Sequence, residues 1–291
     1  MGINIGNINM YVNQDLNINL QTLKTNTFIG KGFPEEIEKL PEHIKKAVLT
    51  KGCGIEVECE NITTFLLDDY YWAWHKDNSL RNNPIEWVTK FGLRVKDMQY
   101  ALDILSRGIE AEKFPGGFSF SERTSVHVHL DCRYHSGDNV RSLVILYTLV
   151  ENSLFNFAGE TRKHNIFCVP LRQTLKEEHY NTWDMVGNWD KYCAINLRAL
   201  REYGTVEFRH MEGNMNPRRI FNWVMLLALL VEASRRMTLE EVKQLVRDIK
   251  GESRYRLALE KIFYNYTDLL HWNDRDIDRA CSDSKLYFGE V

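Results

Sequence analysis

The chain has 291 residues, of which 44% are hydrophobic and 12% aromatic, and a net charge of −3. This composition excludes a disordered chain, and a pI near 6.3 gives no charge excess of the kind that drives nonspecific binding to nucleic acid or an anionic membrane. None of the six cysteines (Cys53, Cys59, Cys132, Cys168, Cys193, Cys281) forms a Cys-x-x-Cys pair, which argues against a zinc knuckle or a thioredoxin-type motif and for reduced thiols in a cytoplasmic protein.

Residues 1–30 are rich in Asn and alternate loosely through Ile3, Ile5, Ile8, Met10 and Val12, as a hairpin or an extended arm would; they lack the basic-then-apolar order of a secretory leader. Pro34-Glu35-Glu36 suits the first turn of a short helix and Lys45-Lys46 its far end. Gly52 and Gly54 lead into a strand over Ile55–Glu60. The aromatic run Tyr70-Tyr71-Trp72-Ala73-Trp74 follows, then a turn at Lys76–Ser79 and a strand-like stretch over Pro84–Lys90. Apolar positions Met98, Leu102 and Leu105 predict a helix over Val95–Arg107, and Pro115-Gly116-Gly117 reads as a loop before a strand at Ser125–Asp131. Gly137-Asp138-Asn139 is suited to cap a helix to about Phe157. Residues 159–190 are mixed and polar, as in an active-site or surface loop region with short helices.

Two strands, Tyr192–Leu197 and Thr205–Met211, are expected to be joined through Arg201–Gly204. Pro217 opens a strongly apolar helix to Arg236, and two more helices fall near 238–250 and 253–271. The apolar stretch Ile220–Ala233 falls short of the ~20 residues of a membrane span and has charged flanks, so it reads as a core helix. Strands interleaved with helices predict an α+β fold. The expected organisation is an arm with a short helix (1–50), a core (51–236) and C-terminal helices packed on it (237–291).

The chemistry concentrates in the strands. Residues two apart in a strand share a face. Ser125-Val126-His127-Val128-His129-Leu130-Asp131 therefore aims His127, His129 and Asp131 to one side. Gly54-Ile55-Glu56-Val57-Glu58-Cys59-Glu60 does the same with three carboxylates, and Thr205-Val206-Glu207-Phe208-Arg209 with a carboxylate and a guanidinium. Like charges crowded on one face destabilise a strand unless cations neutralise them, and hard divalent ions take such oxygen ligands. A neutral histidine ligates through either ring nitrogen, and arginine matches phosphate oxygens as a planar fork. Glu86 is a lone carboxylate in the otherwise apolar Ile85-Glu86-Trp87-Val88. Each feature taken singly also has a plain structural reading: an exposed edge for Glu-x-Glu, structural histidines, a cross-strand ion pair, one exposed position for Glu86, and core for Tyr71–Trp74.

Taken in chain order, Gly-x-Glu-x-Glu, Asp77-Asn78-Ser79-Leu80 with the trailing Glu86, His127-Val128-His129-Leu130-Asp131, Ile195-Asn196-Leu197, Thr205–His210 and the long apolar helix resemble one family. It is the amidoligase branch of the glutamine synthetase and glutamate–cysteine ligase-like carboxylate–amine ligases, and the resemblance covers roughly Gly52–Arg236. It implies a curved antiparallel sheet backed by helices, with the site on its concave face. It also implies an ATP-dependent ligase that activates a carboxylate as an acyl phosphate for attack by an amine, with two or more Mg²⁺ ions (Mn²⁺ as an alternative).

By that resemblance Glu56 holds one ion with His127 and Glu207, while Glu58 holds another with Glu86 and Glu60. His129 lies near the nucleotide phosphates, Arg209 stabilises the transferring phosphoryl group with Glu86 beside it in the catalytic set, and Asn196 and Ser79 position substrate or nucleotide. Lys76, Asp131 and His210 receive no role. The expected partners are a small-molecule or peptide-like carboxylate and an amine (ammonia, an amino acid, a polyamine-like molecule or a polymer-borne group), with the arm as a route to homo-oligomers. Two rival readings remain at this level: a zinc hydrolase built on the His-x-His strand, and an inactive ligase-fold assembly protein.

Overall fold

The computed structural model describes residues 34–62, 70–90, 92–111, 118–174, 186 and 189–286; the arm expected over 1–30 lies outside them. The fold is α+β, an open antiparallel sheet with helices against one face. Its strands are β1 (Gly52–Cys59), β2 (Trp72–His75), β3 (Ile85–Thr89), β4 (Leu93–Arg94), β5 (Ser125–Asp131), β6 (Ile195–Asn196) and β7 (Thr205–Glu212). They run in the order β2-β3-β1-β5-β7-β6, with β4 paired to β1. The three strands that carry charge in the sequence, β1, β5 and β7, are thus neighbours at the middle of the sheet.

Alternation explains which face is which. Ile55, Val57, Val126, Val128, Leu130, Val206 and Phe208 are buried against the helices, so the residues between them point to the opposite face. Against this layer lie α3 (Val95–Ala111), α4 (Gly137–Ala158) and α7 (Pro217–Arg236). Helix α7 is buried on every side from Ile220 to Ser234, as expected of a helix without a polar face. It packs on α3, α4 and β5 and on two outer helices, α2 (Glu42–Leu49) and α9 (Glu252–Phe263). Among the described residues no helix is long and apolar enough to cross a membrane.

Several boundaries differ from the sequence reading for local reasons. The helix expected from Pro34 to Lys46 is two, α1 (Glu35–Glu38) and α2, because Pro41 has no N–H to continue the first and instead occupies the N-cap of the second. Helix α4 is capped by Ser136, which accepts from Asn139 N–H in a reciprocal capping box, so Gly137 is its first residue. A short helix, α5 (Leu171–Thr174), precedes β6, and between β6 and β7 the chain forms another, α6 (Arg198–Tyr203), which closes on Gly204 at φ 71°. A Cβ there would collide with Arg133, so this turn requires glycine. After α8 (Leu239–Arg247) and α9, the predicted 253–271 helix gives way to a 3-10 turn at Tyr264–Leu269, and a further helix, α10 (Asp274–Leu286), follows.

The residues of β7 from Phe208 to Met211 span only Val128 to Val126 of β5, a bulge. It lets His210 and Met211 both face the helices while Arg209 keeps the polar face. His210 is buried there and its Nε2 lies 2.7 Å from the Tyr147 hydroxyl, which donates to Glu151. His210 Nε2–H therefore donates to Tyr147. Burial, reinforced by the Arg162 charge, lowers the His210 pKa to about 3. The unfolded chain binds this proton below about 6.5 and the folded chain does not, so stability is lost as pH falls through that window. Glu151, raised by burial to about 7, has the opposite slope. Subtracting a His210→Phe variant isolates the histidine: wild-type minus variant stability should be flat above pH 6.5 and fall by up to about 1.4 kcal/mol per pH unit below it. Denaturant titrations at a series of pH values check this, and a difference curve flat to pH 4 would contradict a buried neutral His210.

Candidate active site

Pairing of β1, β3, β5, β6 and β7 converts sequence parity into rows across the polar face. Glu58 lies opposite Glu86, Glu56 opposite His127, and His129 opposite Glu207, which in turn faces Asn196. Two groups of metal-ligating atoms result, each lying within 4.8 Å of one another: Glu56, His127 and Glu207, and Glu58, Glu86 and His127. His127 belongs to both, with one ring nitrogen turned to each. Its Nδ1 is 2.9 Å from Glu56 Oε2 and 3.6 Å from Glu207 Oε1, and its Nε2 is 4.0 Å from Glu58 Oε1. Ser125, on the same face of β5, donates to Glu58 Oε2 (2.6 Å) and lies 2.7 Å from His127 Nε2.

Arg209 stands at the junction. Its Nη1 donates to Glu207 Oε1 and its Nε to the Phe167 carbonyl (3.2 Å). The strand segment that carries it is held from behind by Arg162, only 1% exposed, which donates to the carbonyls of Arg209 (3.0 Å), His210 (3.3 Å) and Glu122 (3.2 Å). Asn196 donates to the other Glu207 oxygen at 2.6 Å.

The electrostatics report an excess of negative charge. Burial pushes the Glu86 carboxyl up to about 8, helped by the charges of Glu56, Glu58 and Asp77 and opposed by Arg209. Burial also opposes charge on Glu56, but hydrogen bonds from His127 and His129 outweigh it and hold that carboxyl well below the usual range. Burial likewise disfavours ionised Glu207, yet Arg209 and the two histidines lower its pKa. His129 is raised because Glu56, 3.4 Å from its Nε2, outweighs its burial. Four carboxylates against one arginine, converging on a shared imidazole, form an oxygen-rich donor set that fits divalent cations.

Beside the Glu56 group a pocket of about 300 Å³ opens, floored by Glu56, His129, Asn196, Glu207 and Arg209. Its walls come from α6 and the segment before β6: Arg198, Tyr203, Lys191 and Tyr192. The Tyr203 ring meets His129 edge-on at 6.2 Å, and Lys191 Nζ lies 4.7 Å over the Tyr192 ring.

Of the residues singled out by sequence, Glu56, Glu58, Glu86, His127, Glu207 and Arg209 come together, and His129 and Asn196 line the pocket. Glu60 is buried but belongs to neither group; it accepts the Arg81 N–H at 2.8 Å. Ser79 is exposed, with its hydroxyl donating to Asp77 in a tight turn. Asp131 is paired with Arg133 at 2.7 Å. Trp72 is core, with its Nε1 donating to the Ala101 carbonyl. The two histidines share no group: His127 belongs to both, while His129 meets Glu56 at 3.4 Å and lines the pocket. Sequence reasoning missed Ser125, although it shares the parity of His127. It also missed Arg162 and the pocket walls Lys191, Tyr192, Arg198 and Tyr203; Tyr192, expected to begin a strand, lies in the turn before β6.

Residues 109–231 match the model of a family described as "Putative amidoligase enzyme". The matched span is less than half of the chain. It contains β5, β6 and β7, and so His127, His129, Asn196, Glu207 and Arg209. It does not contain β1 and β3; Glu56, Glu58 and Glu86 are joined to the amidoligase-like segment by strand pairing. No curated protein matches the chain.

Proposed function

We propose that the protein is an ATP- and Mg²⁺-dependent carboxylate–amine ligase that forms an amide bond through an acyl phosphate. The observation that carries this reading is the pair of carboxylate–histidine groups sharing His127, with Arg209 beside them and a polar pocket alongside that Lys191, Arg198, Glu202 and Tyr203 line. The amidoligase match over 109–231 supports amide-forming chemistry. On this reading the polar face is the concave face of a curved, glutamine synthetase-like sheet.

The chemical logic follows from the reactants. A carboxylate is a poor electrophile and oxide a poor leaving group. One oxygen of the acid attacks the terminal phosphorus of ATP and ADP leaves. The amine then attacks the acyl carbon and loses a proton, and phosphate departs. In this scheme Lys191 and Arg198 receive nucleotide phosphates, His129 contacts them from the floor, and Tyr203 offers a flat wall to the nucleotide. Arg209 presents its guanidinium to the phosphoryl group in transit, held in place by Glu207 and the Phe167 carbonyl. A neutral His127 has one free lone pair, so it would complete one ion's ligands with Glu56 and Glu207 while Glu58 and Glu86 would hold the other; the two Mg²⁺ ions would offset the charge that accumulates during transfer.

Calorimetric titration of a non-hydrolysable ATP analogue into metal-stripped protein tests the reading. Binding should require Mg²⁺ and disappear in Glu56→Gln. Absence of nucleotide binding with Mg²⁺ present would sink it.

A further inference from the structure

His127 lies within reach of both groups of carboxylates, and an imidazole that ligates an ion keeps one proton, on its other nitrogen. Which nitrogen keeps that proton decides which group receives the lone pair. The side chain placed to decide it is Ser125, which the reaction scheme leaves without a role. Ser125 is the first residue of β5, is 2% exposed and shares the face of His127. Its hydroxyl has two partners at short range, Glu58 Oε2 at 2.6 Å and His127 Nε2 at 2.7 Å. His127 and Glu58 are buried as well, so bulk water does not compete for these contacts.

A hydroxyl has a single hydrogen, and a ligating carboxylate only accepts. The Ser125 hydrogen therefore goes to Glu58, and the Ser125 oxygen accepts from His127 Nε2–H. The reverse order would spend that hydrogen on a bare Nε2. It would then leave two oxygens 2.6 Å apart with no hydrogen between them, inside the protein, where an unsatisfied polar contact is costly. The two sides of the ring differ accordingly. Nε2 reaches Glu58 through the Ser125 hydroxyl and is itself 4.0 Å from Glu58 Oε1. Nδ1 stands 2.9 Å from Glu56 and 3.6 Å from Glu207, both members of one metal-ligating group.

We infer that Ser125 is a positioning residue that sorts the two cations: it holds the His127 proton on Nε2, so that Nδ1 completes the Glu56–Glu207 group and the Glu58–Glu86 group is left with oxygen ligands alone. The inference rests on the divalent-ion part of the ligase reading. It makes the two groups chemically unequal. Imidazole suits ions such as Zn²⁺, and an all-oxygen set suits Mg²⁺. A first equivalent of Zn²⁺ therefore goes to His127 Nδ1.

Long-range proton–nitrogen correlation spectra of the full chain, labelled at its histidines and carrying one equivalent of Zn²⁺, test this. The His127 ring is assigned by its absence in His127→Gln. Nδ1 should show the shift of a metal-bound nitrogen, and Nε2 should keep a proton protected from solvent exchange. In Ser125→Ala that protection should vanish and Zn²⁺ affinity should fall roughly 10–100-fold, the scale of a lost outer partner. Ser125→Thr, which keeps the hydroxyl, should restore both. A serine that only supports the fold would lower the unfolding midpoint without moving the proton. The wild-type spectrum alone decides the tautomer, so an unstable Ser125→Ala does not blunt the test. Zn²⁺ on Nε2 with the proton on Nδ1, Zn²⁺ on another histidine, or a protected Nε2–H with unchanged affinity in Ser125→Ala would each overturn the inference and leave the ligase reading standing. Zn²⁺ on Nδ1 without nucleotide binding in Mg²⁺ would keep the role of Ser125 and remove the ligase. Failure to take up either ion would remove both.

Discussion

Replacing His127 by alanine is expected to abolish ATP-dependent turnover and to weaken both metal groups at once. The imidazole is the one side chain common to them, with Nδ1 turned to Glu56 and Glu207 and Nε2 to Glu58. Loss of an outer partner of a metal ligand costs roughly 10–100-fold; His127 is a ligand in the Glu56 group and, through Ser125, an outer partner of Glu58, so its loss should exceed that range at the first group and fall within it at the second. Mn²⁺ titration followed by electron paramagnetic resonance distinguishes the variants. Wild type should take up two ions, Glu56→Gln should lose one class of site, and His127→Ala should lose affinity in both. The substitution also removes the link between Ser125 and Glu56, which leaves like charges facing one another without a mediator. Metal should therefore raise the unfolding temperature of wild type and leave that of His127→Ala almost unmoved. Unchanged ion stoichiometry in His127→Ala would mean that the two groups do not share this residue.

The features that parity can express were legible in the sequence. The period-two patterns of β1, β5 and β7 placed Glu56, Glu58, His127, Glu207 and Arg209 on one face, because alternation is a local property. That these strands are neighbours is not local. It reaches the sequence only through the resemblance, which also joins Glu86 to the set. The bulge in β7 was illegible for the same reason: His210 and Met211 both face the helices, which no alternating pattern encodes. Arg162 gives no signal either, since it works by donating to carbonyls that every residue possesses. The walls of the pocket are hidden because Arg201–Gly204 reads as the join between two strands, although Arg198-Ala199-Leu200-Arg201-Glu202-Tyr203 has ordinary helix formers and a glycine after it. Helix α10 escaped because it shows few apolar residues. Its buried side is marked by Ile277 and Ala280 together with the polar Asp283 and Ser284, a face that hydrophobic spacing does not reveal. The loop region with short helices expected over 159–190 falls in part on residues 175–185, 187 and 188, outside the described ones.

Arg209→Lys is expected to lower kcat by roughly a thousandfold, the scale on which an arginine at a transferring phosphoryl group acts, while leaving nucleotide binding within a fewfold of wild type. The geometry sets this split. Arg209 reaches Glu207 through Nη1 and the Phe167 carbonyl through Nε, and both contacts hold the plane of the guanidinium against the site. A lysine has one ammonium and cannot keep both contacts, and it offers a point charge where a fork is needed. Its positive charge still opposes the carboxylates, so affinity for Mg²⁺ should survive. In the ground state the nucleotide also has Lys191, Arg198 and His129 at the pocket, so binding should depend little on Arg209. The effect should appear only as charge builds on the phosphoryl group. Single-turnover ADP formation at saturating ATP and acid measures it, with analogue affinity determined in parallel. A kcat within threefold of wild type would move the phosphoryl group elsewhere. A fall in affinity as large as the fall in kcat would make Arg209 a nucleotide-binding residue and leave the transferring group to the metal groups.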